Sequence, residues 1–185
     1  MENLILHSER LLIRNLQTTD LEDFYSYRSN PEIAKYQSFE PYTKEKAATF
    51  IASQKDRIFG KPGQWLQCGL EEKTTKRLVG DCAIKLDEDD PRIAEIGITI
   101  SHLHQKKGFG KEALLTVMQF LFEKQNIHRI VETIDAENEA SLKLIESVGF
   151  RKEGHFIENI FFKGKWGSEC QYAMLKREWE EKLFF

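Results

Sequence analysis

Residues 105–111 read Gln105-Lys106-Lys107-Gly108-Phe109-Gly110-Lys111 and stand between a β-rich run and the most regular helical pattern in the chain. Upstream, Ile93 to Ile100 is strand-like. Downstream, Leu114, Val117, Met118 and Leu121 recur at the i, i+3, i+4, i+7 spacing of one helix face. The stretch is therefore a strand–loop–helix junction. Gly108 and Gly110 let the backbone approach a ligand closely, and the helix offers unpaired N–H groups at the positive end of its dipole. Lys106, Lys107 and Lys111 add charge suited to a pyrophosphate. Turn-making glycines and solvated lysines are the plain alternative for any single junction of this kind.

The same residues fit the dinucleotide pattern G-x-G-x-x-G/A, with Glu132 near the place of a ribose-binding acid. Two features count against that reading. The glycines come past mid-chain, leaving too little sequence for a nucleotide domain plus a substrate domain. They also lie beyond His102-Leu103-His104, several residues after the strand end, and not in a tight first turn.

Before the junction, residues 4–16 predict a first strand, and Thr18/Thr19 cap a short helix carrying Leu21, Phe24 and Tyr25. A helix follows from about Thr43 through Ala47, Phe50, Ile51 and Ile58. Two β-rich runs, 65–71 and 77–86, then form an antiparallel hairpin. After the junction come a strand at 128–134, a helix at 138–148 stopped by Gly149, and a strand pair at about 156–162 and 169–175. An antiparallel front half thus meets a β-α-β-α-β back half. The fold class is a mixed α/β (α+β) sheet with helices on both faces.

The 185 residues carry 27 Lys plus Arg against 30 Asp plus Glu, a net charge of −3, which argues against a dedicated binder of DNA or RNA. With 41% hydrophobic and 31% charged residues, no linker and no repeat, a single domain over 1–185 is expected. No apolar run reaches the ~20 residues of a membrane span, and the N-terminus lacks the features of a signal peptide. Cys68, Cys82 and Cys170 are odd in number, without C-x-x-C spacing, and read as reduced thiols of a cytoplasmic protein. His102, His104, His128 and His155 are too scattered for a metal site, so no metal is expected.

A second motif lies about 30 residues beyond the glycine loop: Asn138-Glu139-Ala140-Ser141 opens a helix that closes on Gly149-Phe150. Together the two motifs resemble the GNAT superfamily of acetyl-CoA-dependent N-acetyltransferases. Ser8-Glu9-Arg10-Leu11-Leu12-Ile13-Arg14, Ala94-Glu95-Ile96-Gly97 and Gly164-Lys165-Trp166 look like its RimJ/RimL-type branch. The resemblance implies a mostly antiparallel, twisted sheet in which one parallel strand pair splays to admit acetyl-CoA. Main-chain groups of Ile98, Thr99 and Ile100 would hold the pantetheine, and one N–H there would polarise the thioester carbonyl. Residues Gln105 to Lys111 would hold the pyrophosphate, and Asn138 would contact the pantetheine or its neighbourhood.

The implied reaction is direct attack of an acceptor amine on the thioester. Glu95 is the first candidate for the base that takes the amine's proton, and Glu158 the second. Many relatives carry a Tyr seven residues after the Asn to protonate the departing thiolate; this chain has Ile145 there. Ser141 takes over as catalytic acid, or water does, or the step needs none. The acceptor would meet a lid at 24–60 rich in exposed-looking aromatic and charged residues: Tyr25, Tyr27, Arg28, Tyr36, Phe39, Glu40 and Tyr42. A peptide or protein N-terminal amine predicts an open groove near Arg28, whereas a polyamine or aminoglycoside predicts a closed acidic pocket. A non-catalytic acetyl-CoA sensor is the alternative of another class. The branch also carries the expectation of a homodimer, for which the sequence offers no coiled-coil heptad.

Overall fold

The computed structural model describes residues 3–182. Its elements in chain order are β1 (Ile5–His7), β2 (Leu11–Asn15), α1 (Leu21–Arg28), α2 (Pro31–Ala34), α3 (Lys44–Gln54), β3 (Leu66–Glu72), β4 (Leu78–Leu86), β5 (Ile93–Ile100), α4 (Phe109–Gln119), β6 (Arg129–Asp135), α5 (Glu139–Ser147), β7 (Arg151–Phe162), β8 (Lys165–Leu175) and α6 (Lys176–Lys182). The strands form one sheet in the order β1-β2-β3-β4-β5-β6-β8-β7. Every pairing is antiparallel except β5 with β6.

Period-two alternation gives the sheet two differently occupied faces. On one, Cys82, Ile84, Ala94, Ile96 and Ile130 pack with Leu114, Val117 and Met118 of α4 and Ile145 of α5. On the other, Phe24, Tyr27, Tyr42, Ala47 and Ile51 gather around α1 and α3 against Leu16 and Leu78. Helices therefore cover both faces, as the sequence predicts.

The parallel ladder is short. It pairs Ile93 with Arg129, Ala94 with Ile130 and Glu95 with Val131, and stops there, while β5 runs on to Ile100 and β6 to Asp135. The two strands part beyond Glu95 and Val131. This is the splay that the family resemblance implies.

Four expectations are corrected. The helix expected to run through Ile58 ends at Gln54. The single strand at 4–16 is a hairpin, because Ser8 turns the chain: its N–H donates to the Leu11 carbonyl at 3.0 Å, and its hydroxyl oxygen accepts from the Leu11 N–H at 2.9 Å. Thr18/Thr19 do not cap α1. They lie in a 3-10 turn closed by Asp20, whose carboxylate accepts from the Gln17 N–H at 2.8 Å and is held by Arg14. The last strands are longer than expected, with β7 starting at Arg151 directly after Phe150. The helix after the glycine loop also ends in a widened π turn at Phe120–Lys124.

Candidate active site

A cavity of about 820 Å³ opens over the splay. Its floor is β4, β5 and β6, where Asp81, Ala83 and Lys85 stand opposite Thr99, Gly97 and Glu95 across an antiparallel ladder. Its walls are Phe39, Tyr42 and Phe50 from the segment holding α3, Asn138 and Ser141 from the start of α5, and Ile160, Phe162 and Glu169 from the β7–β8 hairpin. A Cβ built on Gly97 would meet no atom within 4 Å, so β5 faces free space at mid-strand.

Glu95, Ile98, Thr99, Asn138 and Ser141 all line this cavity. The Glu95 carboxylate pairs with the Lys85 ammonium at 2.6 Å, and that ammonium sits 4.7 Å above the centre of the Trp65 ring. Thr99 is buried, and its hydroxyl lies 3.5 Å from Gln37 Oε1. Asn138 Oδ1 accepts from the Ser141 N–H at 3.2 Å, so the Asn side chain is the N-cap of α5 and the Ser lies in its first turn. Glu158 does not line the cavity. It is exposed on β7, where its own N–H donates to Ser168 Oγ.

The glycine loop forms a second, adjoining part of the site at the far end of β5. Gln105 Nε2 donates to the Ile100 carbonyl at 3.2 Å and ties the loop to the strand. Gly108 is the N-cap of α4 at φ +84, a left-handed conformation that favours glycine. Lys106, Lys107 and Lys111 are exposed around that helix start. Two residues of the motif have other duties. Phe109 is buried, and a Cβ on Gly110 would fall 3.0 Å from Leu144 Cδ2 and 3.5 Å from Ile100 Cγ1. Gly110 therefore serves the close packing of α4 on α5 and β5, and any contact of these two with a ligand runs through the main chain.

Sequence spacing gives no sign of Arg10, about 100 residues away, as the clamp on this loop. Its guanidinium donates to the Lys107 carbonyl at 3.0 Å, lies 4.5 Å from the centre of the Phe109 ring, and pairs with Glu112 at 2.6 Å. Glu112 also accepts from Ser8 Oγ and the Arg10 N–H, and these bonds hold its carboxyl below the usual range against the cost of burial. The one acid in the first turn of α4 is thus turned away and neutralised, leaving the lysines to set the local charge.

Glu132 carries no acetyltransferase signal in the sequence either. It is buried, lines the cavity from β6, and its Oε2 has no hydrogen-bond partner among the described residues. Burial, with the Glu95 charge adding to it, pushes its carboxyl up to about 8. Nothing in its spacing distinguishes it from a residue of the neighbouring strand core.

The lid residues are also redistributed. Tyr27, Arg28 and Tyr42 are buried, not exposed. Arg28 donates to Asp81 Oδ1 at 2.5 Å, Tyr27 Oη donates to Asp81 Oδ2 at 2.5 Å, and the guanidinium stacks 4.3 Å from the Phe39 ring. Arg28 lines the cavity, but its charge is taken up by Asp81.

A strand edge left unpaired past Glu95, a glycine facing open space, and a left-handed glycine starting a lysine-flanked helix together fit an extended pantetheine arm ending in a pyrophosphate. The family model for the acetyltransferase (GNAT) domain matches residues 10–151. The chain belongs to the GNAT acetyltransferase family, and it is an acyltransferase that takes its acetyl group from acetyl-CoA. Among its relatives, an uncharacterized N-acetyltransferase, p20, of Bacillus licheniformis is 29% identical over 94% of this chain and 97% of its own. The spermidine N(1)-acetyltransferase of Vibrio cholerae is 28% identical over 86% and 89%. The [ribosomal protein uS5]-alanine N-acetyltransferase of Escherichia coli is 25% identical over 94% and 92%. A crystal structure of a GNAT-family acetyltransferase from Bacillus anthracis superposes with a TM-score of 0.84 at 27% identity, over 95% of this chain and all of that one. Among the described residues no group of three or more His, Cys, Asp or Glu is arranged to hold a metal ion, and no helix is long and apolar enough to cross a membrane.

Proposed function

We propose that the protein transfers the acetyl group to a small, multiply charged primary amine of the polyamine type. The observation that carries this reading is the charge of the acceptor cavity. Two of its three basic groups are neutralised, Arg28 by Asp81 and Lys85 by Glu95, while Arg57 is tied back to the Trp65 carbonyl at 2.6 Å. Asp135 and Glu169 remain on its wall with no ion-pair partner among the described residues. Such a cavity attracts a cation and repels a carboxylate. The β7–β8 hairpin closes one side, since Lys163 Nζ donates to the carbonyls of Ala34 at 2.6 Å and Phe39 at 2.9 Å. A relative named for spermidine adds weight.

In this reading Lys106, Lys107, Lys111 and the N–H groups at the start of α4 hold the pyrophosphate. The free edge of β5 from Ile98 to Ile100 holds the pantetheine, and Asn138 borders it. A β5 N–H donates to the carbonyl oxygen as negative charge develops there. Glu95 accepts a proton from the entering ammonium, which must be neutral to attack. The whole of 1–185 acts as one domain in the cytoplasm, where the buried thiols Cys68, Cys82 and Cys170 stay reduced.

A second reading is the RimJ/RimL-like one, a peptide or protein α-amine handled by a homodimer. It is favoured by a side hollow of about 300 Å³, lined by acids such as Glu32 and Glu137 and by Lys35, Lys163 and Lys165, which shares Asp135 with the cavity and has room for a chain following the amine. Following CoA release with spermidine, kanamycin and short peptides separates the two. Turnover of spermidine at least tenfold faster in kcat/KM than of any peptide is the expected result; the reverse order overturns the first reading, and acetyl-CoA binding with no turnover of any amine favours the sensor.

A further inference from the structure

Glu132 has no structural duty that its surroundings explain. A carboxyl group buried to this degree normally finds a donor, and its Oε2 has none. Position distinguishes it further. In the short parallel ladder Ala94 stands beside Ile130, and both belong to the core under α4 and α5. Glu132, two residues on from Ile130, faces the same way. Across the other ladder its neighbour is Tyr172, whose hydroxyl reaches Glu146 on α5 at 2.7 Å. Glu95 faces the opposite way, toward Lys85 and the cavity under α1 and α3. Both carboxyls line one cavity because the strands part between them.

The two faces correspond to the two substrates. The lysine-flanked start of α4 lies on the α4–α5 face, so the donor and its sulfur approach from that side. The cavity reaches from Asn138 and Ser141 on that side to Phe39, Tyr42 and Phe50 on the other, where the acceptor enters. We propose that Glu132 is a catalytic residue, the acid that gives its proton to the sulfur of the departing CoA. This rests on the acetyl-CoA donor and is independent of which amine accepts.

The nitrogen lone pair attacks the carbonyl carbon, the carbon–sulfur bond breaks, and sulfur keeps the electron pair and takes the Glu132 proton. The nitrogen has shed one proton to Glu95 before attack; the second, lost as the amide forms, restores Glu132. Other candidates are weaker. Ile145 brings no hydroxyl, and Tyr172, spent on Glu146, is pushed up to about 12 by burial and that bond. Glu132, up near 8, lies close to the ~8.5 of an ordinary thiol, the match that efficient proton transfer asks for. The charged and titratable groups around it are Glu95 with its partner Lys85, Asp135 on its own strand, Cys170 and Tyr172 on β8, and Glu146 on α5.

The test measures acetyl-CoA binding by calorimetry and the pH profile of kcat for the wild type, Glu132→Gln and Glu132→Leu, with spermidine or whichever amine the panel selects. Expected are unchanged acetyl-CoA affinity, a fall in kcat on the order of 100-fold in both variants, and loss of the alkaline limb that the wild type shows near pH 8. Near-normal kcat in Glu132→Gln, or loss of the acid limb instead, overturns the assignment. Infrared difference spectra supply a readout independent of turnover: at pH 7 the wild type should show a protonated-carboxyl band that Glu132→Leu lacks, and its absence overturns the proposal as well. A wild type that binds no acetyl-CoA would instead sink the donor reading on which the proposal rests.

Discussion

A carboxyl group folded away from water holds its proton more tightly than the same group in the unfolded chain, and that difference is a stability term with a definite sign. Glu132 sits up at about 8 in the fold against ~4.3 when unfolded. Between those values the native state keeps a proton that the unfolded state has released, so stability falls as pH rises through the window. Below ~4.3 this group contributes nothing; above 8 its full penalty is present, up to ~5 kcal/mol. Glu112, Asp23 and Glu153 are shifted downward and act in the opposite sense, losing their stabilisation only at acid pH. A thermal-denaturation series from pH 5 to 9 should therefore show Tm falling toward alkaline pH in the wild type and a markedly flatter curve for Glu132→Gln. Parallel curves would mean that Glu132 is already ionised at neutral pH. Gly110 teaches a related lesson at the same scale. Aspartate there would set a charge against Leu144, so it would damage packing before it reported on pyrophosphate, and charge reversal at Lys106 or Lys107 is the cleaner probe.

Elements were legible in the sequence wherever one local rule governed them. The strand at 93–100 was read to the residue, and α3 and α5 start at the capping residues Thr43 and Asn138. The glycine loop and the Asn138 helix, recognised as motifs, marked the site because their chemistry is local. Arg10 and Glu132 were not legible, since their roles come from partners brought together by the sheet: Glu112 for one and the opening between β5 and β6 for the other. The β7–β8 hairpin was legible as strands but not as a wall of the cavity. Its tip is fastened by Lys163 to the carbonyls of Ala34 and Phe39, with Lys165 and Glu137 paired more loosely at 3.4 Å. Lys163→Met should release that wall, raising KM for the amine several-fold while leaving acetyl-CoA affinity unchanged and Tm within a few degrees. An unchanged KM would show that the hairpin does not confine the acceptor.

At the scale of the molecule, two cores lie on opposite faces of one sheet, and a buried polar network crosses from the smaller core to the site. Asp81 on β4 is fully buried and accepts from Tyr27, Arg28 and Gln67, while Arg28 is wrapped by the rings of Phe24, Phe39, Tyr42 and Phe50. Burying two charges costs several kcal/mol in desolvation, so such a pair adds little net stability even though breaking it is expensive. Asp81→Asn leaves the Arg28 charge uncompensated and should cost about 3–5 kcal/mol by denaturant titration. Replacing the ion pair and the tyrosine hydroxyl with apolar groups of similar size, Tyr27→Phe with Arg28→Met and Asp81→Leu, should recover most of that loss, because the one donor then left without its acceptor, Gln67, is only half-buried and within reach of water. Activity separates the two uses of the network. Asp81 lies directly across the ladder from Thr99, and both line the acceptor cavity. If the ions are kept to shape that cavity, the apolar triple variant will be nearly as stable as the wild type and bind acetyl-CoA normally, yet show an amine kcat/KM lower by at least tenfold. A triple variant both stable and fully active would mean that the charges serve only to fasten α1 to the sheet.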